Sequence, residues 1–158
     1  MSMRVKGVGV DIVDLGAFAA SLAEPGTRFA SAFSPTERRQ CRDRADARGP
    51  VAGVSESAGA REREARHLAA RWAVKEAVVK AWSAALYGVP PVIAPDLLDW
   101  AQIETVCDAW GRPSIRLSGE VARQVEATVG SEVCWHVSLS HDGDSAVAYV
   151  VLEGPDVG

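Results

Sequence analysis

Residues 71–82, Arg-Trp-Ala-Val-Lys-Glu-Ala-Val-Val-Lys-Ala-Trp, set a carboxylate where a helix has to bury itself. Helical composition runs from about Ala65 to Leu86, and Val89-Pro90-Pro91 stops it. At ~100° per residue, Glu76 points the same way as Ala65, Ala69, Trp72, Ala73, Val79 and Ser83. A buried, unpaired carboxylate is costly, or it shifts its pKa until it is neutral. Any fold of this chain must therefore bring a cation to Glu76. Lys80, one turn on, is one candidate, and a metal ion is the other. A second misplaced acid, Asp11, ends an apolar run near the N-terminus, and the functional reading depends on these two acids meeting.

The rest of the chain supplies the scaffold. From Val5 to Val13 residues alternate: Val8, Val10 and Ile12 share one face, Gly7, Gly9 and Asp11 the other. This predicts a buried strand whose second face is stripped so that something approaches its backbone closely. Asp14 is placed to cap a short helix from Leu15 to Ala23, ended by Pro25-Gly26. Ser34-Pro35-Thr36-Glu37 is a capping box with proline at the first helical position, and the helix it starts carries Arg38, Arg39, Arg42 and Arg44. Residues 45–64 turn to Ala, Gly, Ser, Arg and Glu with Pro50 and almost no large apolar side chain, which predicts a mobile loop inserted before the long helix. Ile103 to Cys107 and Ser114 to Leu117 read as strands joined at Asp108 to Pro113. Ser118 caps an amphipathic helix ending near Gly130. Val133 to Ser140 and Ala146 to Leu152 are the last strands, turned by His141-Asp-Gly-Asp144. The order β-α-α-α-β-β-α-β-β is that of one α+β domain over residues 1–158.

Charge is uneven along the 158 residues. Residues 28–80 hold 12 of the 17 basic residues and 7 acids, a local +5, whereas residues 81–158 hold 3 basic residues and 11 acids, a local −8. A basic region on an acidic chain suits a specific anionic partner better than bulk nucleic acid, although arginines on solvated helix faces give the same count. No apolar run approaches membrane-spanning length, and the N-terminus has no signal-peptide pattern. Cys41, Cys107 and Cys134 are scattered and odd in number, which points to neither a disulfide framework nor a zinc site. A reducing cytoplasm is the expected location.

Two carboxylates with open coordination positions suit magnesium, which keeps waters and takes substrate phosphate oxygens. The competing reading has Asp11 finishing a strand and Glu76 paired with Lys80. Lys75 lies about 140° around the helix from Lys80, away from Glu76, and reads as a solvated residue. Arg71 leads into the same region as a candidate phosphate ligand. His136 is strand-interior and reads as a packed or partly exposed core residue. His141, at the hairpin turn, is placed either to donate to a phosphate or to do nothing special. Ser138 and Ser140 lack any nucleophile-activating pattern, and His67 has no assigned role.

Three segments coincide in order: Gly7-Val-Gly-Val-Asp-Ile12, Arg71 to Ala81, and Val137-Ser-Leu-Ser-His141. Together they closely resemble the signature segments of the holo-acyl-carrier-protein synthases, the short bacterial class of 4′-phosphopantetheinyl transferases. Arg28-Phe29-Ala30, Ser34 to Arg38 and Gly111-Arg112-Pro113 resemble that family too, and the resemblance fails only across about residues 43–64.

The resemblance implies a 4′-phosphopantetheinyl transferase-like fold and a reaction. The family moves 4′-phosphopantetheine from coenzyme A to a serine of apo-acyl carrier protein, releases adenosine 3′,5′-bisphosphate and serves fatty acid biosynthesis. By that likeness Asp11 and Glu76 hold Mg2+ against the coenzyme A pyrophosphate, and Lys80 neutralises charge on the attacked phosphate. Arg71, Ser140 and His141 help hold the nucleotide, with the turn from Gly111 to Pro113 beside it. The family assembles as homotrimers with coenzyme A between neighbours, and its acidic carrier docks on a basic helix surface. The chain departs from the pattern at Leu15-Gly-Ala-Phe18, where the family often has a basic residue, so docking would rest on Arg28 and the Arg38 to Arg44 group. A silent carrier-binding module and a magnesium-dependent pyrophosphate hydrolase are the competing classes.

Overall fold

A computed structural model describes residues 2–47, 49, 52, 53 and 55–156. The order of elements is the expected one: β1 (Met3–Asp14), α1 (Leu15–Ala23), α2 (Pro35–Asp46), α3 (Glu56–Ala85), β2 (Ile103–Cys107), β3 (Pro113–Leu117), α4 (Gly119–Val129), β4 (Cys134–Asp142) and β5 (Ser145–Pro155). Short 3₁₀ turns at Phe29–Ala32, Pro95–Leu97 and Trp100–Gln102 were not legible in the sequence. Two of the three predicted caps form, and Ser118 stands at the N-cap of α4 without a side-chain capping bond. The Asp14 carboxylate accepts from the Ala17 N–H at 2.7 Å, and Ser34 and Glu37 bond reciprocally as a capping box.

β1, β5 and β4 form an antiparallel sheet in that order, while β2 and β3 make a separate hairpin. α3 crosses the inner face of the larger sheet. Ala77 and Ala81 present bare helix backbone there, and Gly7 and Gly9 receive it. A Cβ on Gly9 would collide with the Ala77 carbonyl oxygen, and one on Gly7 with that of Ala81. The stripped face of β1 is thus filled by the helix. Gly9→Ala leaves no flexible atom to yield, so it is expected to cost about 1–3 kcal/mol or more, read as a lower urea midpoint.

Two sequence expectations are corrected. Val8, Val10 and Ile12 lie exposed on the outer face of the sheet, with Ile12 at 69%, beside Val147 and Tyr149 of β5. Alternation identified the two faces of β1 but not which of them the core would use, because the glycine face buries without side chains. Residues 56–64, read as part of a mobile loop, are the first turns of α3. Extending an anchored helix avoids the cost of nucleation. Arg63 Nε ties the extension to α2 by donating to the Ala45 carbonyl at 2.9 Å. The loop reading also covers residues 48, 50, 51 and 54, which lie outside the described residues.

Candidate active site

α3 is buried on two sides over its middle turns, by the sheet and by α2 with β2. Ala73, Val74, Ala77, Val78 and Ala81 are all fully buried. Lys75 shares this burial and is not solvated: it and Glu37 are each 0% exposed and paired at 2.7 Å. The ammonium also donates to the Trp100 carbonyl at 2.9 Å and to that of Ile103. Glu37 Oε2 accepts from the Thr105 N–H at 3.1 Å. Burial lowers the Lys75 pKa and the Glu37 charge opposes that shift. One charged pair thus ties the start of α2, the centre of α3 and the entry to β2 into a unit, immediately beside Glu76.

Glu76 itself is half-buried. Its pKa is raised, first by burial and then by the negative charge of Asp11, with Lys80 opposing. The two acids lie close enough for the charge of one to act on the other. The sequence alternative that paired Glu76 with Lys80 fails in detail. The Lys80 ammonium turns to Asp11 Oδ1 at 2.9 Å and to the Val10 carbonyl at 3.0 Å. Among the described residues no cation lies within ion-pair distance of Glu76. A partly desolvated carboxylate beside a second carboxylate is a place for a cation. Among the described residues there is no cluster of three or more His, Cys, Asp or Glu side chains suited to a metal. Two carboxylates with the other positions left to water and phosphate oxygen fit magnesium rather than a closed protein cage.

The remaining candidates lie elsewhere in the chain. Arg71 is 2% exposed beneath the β2–β3 hairpin. It donates to the His67 carbonyl at 3.3 Å and to Cys107 Sγ at 3.6 Å, and its Nε is buried without a partner. The hairpin turn runs from Asp108 to Arg112. At its tip Gly111 has φ of 84° and the Arg44 guanidinium packs against it, where a Cβ would not fit, and Pro113 opens β3.

His141 is inside β4 rather than in a turn; the hairpin reverses at Gly143 and Asp144. Its ring stands edge-on to His67, with centroids 6.2 Å apart. His67 precedes Glu76 by nine residues of α3, about 13.5 Å along the axis. Ser140, the neighbour of His141, faces the opposite, exposed side of the sheet across from Val147. One chain therefore presents two groups. Asp11, Glu76 and Lys80 form the first. Arg71, His141 and the Gly111–Pro113 turn, on the N-terminal side of Glu76 along α3, form the second.

An apolar cavity of about 300 Å³ adjoins the first group, lined by Glu76, Val79, Trp82, Leu86, Ile93 and Trp100 among others. No residue pattern pointed to it, since its far wall comes from the irregular segment after α3.

The family model described as the 4′-phosphopantetheinyl transferase superfamily matches residues 7–150. A holo-[acyl-carrier-protein] synthase of Mycobacterium tuberculosis is 44% identical over 153 residues, 97% of this chain and 100% of that protein. One of Corynebacterium glutamicum is 45% identical over 145 residues, 92% of this chain and 96% of that one. The solved Chronobacterium ammoniagenes ACPS–CoA complex superposes with a TM-score of 0.79 at 43% identity, covering 96% of this chain and 97% of its own.

Proposed function

The chain belongs to the 4′-phosphopantetheinyl transferase superfamily, among the holo-[acyl-carrier-protein] synthases, and from that premise we propose a magnesium-dependent transfer of 4′-phosphopantetheine from coenzyme A to a serine of apo-acyl carrier protein. The observation that carries the metal-dependent part is Glu76: a half-buried carboxylate next to Asp11, with no protein cation paired to it among the described residues. Asp11 and Glu76 are the magnesium ligands in this reading. Magnesium, when bound, supplies charge neutralisation at the pyrophosphate. Lys80, half exposed and already on Asp11, is placed to meet the phosphate that carries the pantetheine arm. The serine oxygen bonds to that phosphorus, the pyrophosphate P–O bond breaks, and adenosine 3′,5′-bisphosphate leaves with the electron pair. The product, holo-carrier protein, serves fatty acid biosynthesis in the cytoplasm.

Arg71, His141, Gly111 and Pro113 bind the nucleotide end of the donor in this scheme. The distance of His141 from Glu76 within one chain favours a site completed by a neighbouring subunit. The exposed Val8, Val10, Ile12, Val147 and Tyr149 form an apolar sheet face of the kind that subunits cover, which supports a homotrimer. Ser140, on that same face, would reach a nucleotide only where a neighbour brings one. The acidic carrier docks on the arginines of α2, Arg38, Arg39 and Arg42.

The test is to incubate the protein with coenzyme A, magnesium and apo-carrier protein and to weigh the carrier. The expected result is a gain of one phosphopantetheine per carrier. Breakdown of coenzyme A with an unmodified carrier would mean a hydrolase. Carrier binding with no turnover would mean a silent docking module.

A further inference from the structure

Trp110 stands at the tip of the β2–β3 hairpin with 79% of its surface exposed. An indole left in water at a turn is unusual, and this one sits on a closely bonded turn. The Trp110 and Arg112 N–H groups both donate to Asp108 Oδ1 at 2.9 Å, and Arg112 Nε donates to Asp108 Oδ2 at 2.6 Å. The Asp108 N–H closes the turn on the Arg112 carbonyl at 3.0 Å. The guanidinium of Arg112 then lies over the indole, 5.1 Å from the ring centroid. Packing against a cation backs the ring and keeps it upright, and its exposure leaves room for a second partner. The neighbourhood adds positive charge: the Arg44 guanidinium packs on Gly111, the next residue, and the buried Arg71 reaches Cys107 at the base of the hairpin. An exposed aromatic ring with the guanidinium groups of Arg112 and Arg44 beside it has the chemistry of a nucleotide site, with a π-face for a base and cations for phosphates.

We propose that Trp110 is the stacking platform for the adenine of the donor nucleotide and so a specificity residue of the nucleotide half-site. The inference rests on the transferase reading, which puts the Gly111–Pro113 turn beside that nucleotide. It accounts for the exposure of the indole. It also gives Asp108 a positioning role, since that carboxylate fixes both the ring's backbone and the arginine behind it.

The test measures binding by the full-length protein of two probes in the presence of magnesium, adenosine 3′,5′-bisphosphate and 4′-phosphopantetheine, for the wild type, Trp110→Ala and Trp110→Phe. Loss of one base-stacking contact weakens nucleotide binding by roughly 5- to 150-fold. Trp110→Ala should show that loss for adenosine 3′,5′-bisphosphate and none for 4′-phosphopantetheine, and Trp110→Phe should recover much of it. The wild type should also show fluorescence quenching by the nucleotide that Trp110→Ala lacks. Equal nucleotide affinity in wild type and Trp110→Ala overturns the stacking role and leaves the transferase reading intact. Failure of the wild type to bind the nucleotide at all overturns both. Equal weakening for the two probes means that Trp110 acts on the site as a whole and also overturns the proposal.

Discussion

Glu76→Gln and Asp11→Ala are each expected to lower phosphopantetheine transfer roughly 10³-fold in a chain that remains folded. The magnitude follows from Lewis-acid stabilisation worth several kcal/mol, at 1.36 kcal/mol per factor of ten. Folding should survive because Glu76 pairs with no cation among the described residues, so that Gln retains its shape and removes a desolvated charge. The same geometry sets a pH dependence. Burial and the Asp11 charge raise the Glu76 pKa, so as pH falls the carboxyl takes up its proton earlier than an ordinary glutamate. A protonated Glu76 cannot ligate a cation well, so magnesium affinity should rise with pH through that raised pKa and level off above it. Calorimetric titration with magnesium at several pH values reads this directly. In Glu76→Gln the pH-dependent step should vanish along with most of the affinity. Near-normal transfer by either variant at ordinary magnesium concentration, or an unchanged pH profile in Glu76→Gln, would remove the two carboxylates from the metal role.

Local chemistry carried the legible part of the sequence. The caps at Asp14 and Ser34, the helix stop before Pro90 and the β2–β3 hairpin rest on interactions within a few residues, and all appear where the residue types put them. Glu76 and Asp11 were legible because each broke a local rule, a charge on an apolar face, and such a breach needs a partner. The errors have a common physical source. Periodicity gives the faces of an element and not what lies opposite them. β1 buries its glycine face, and α3 is covered on both sides, so the polar-looking Lys75 is enclosed rather than solvated. Its partner Glu37 was read only as a capping residue, which it also is. Composition misled at residues 56–64, because Ala, Arg and Glu are poor in core-forming side chains yet good helix formers once a neighbouring turn is in place. The separation between His141 and Asp11 depends on how β1, β5 and β4 register, which no local pattern encodes.

Lys75→Met is expected to be the most destabilising single change in the chain, at about 3–5 kcal/mol, because it leaves the Glu37 carboxylate buried without its cation. It also strips a donor from the carbonyls of Trp100 and Ile103. Glu37→Gln should cost less. With its amide oxygen at the Oε1 position it still accepts from Lys75 and from the Ser34 N–H, but its nitrogen cannot accept from the Thr105 N–H, and Lys75 is left with a neutral partner. The decisive variant is Glu37→Leu combined with Lys75→Met. Replacing a buried ion pair by apolar groups of similar size is often near neutral, so the double variant should recover much of the loss. Recovery should still be incomplete, because the N–H groups of Ser34 and Thr105 lose their acceptor, at about 1–3 kcal/mol for each that stays buried. Chemical denaturation of the wild type, Lys75→Met, Glu37→Leu and the double variant closes the cycle. Strong non-additivity, with the double variant more stable than Lys75→Met, identifies the pair as a coupled unit. Additive losses would mean that Lys75 and Glu37 stabilise the chain independently, through their separate backbone bonds.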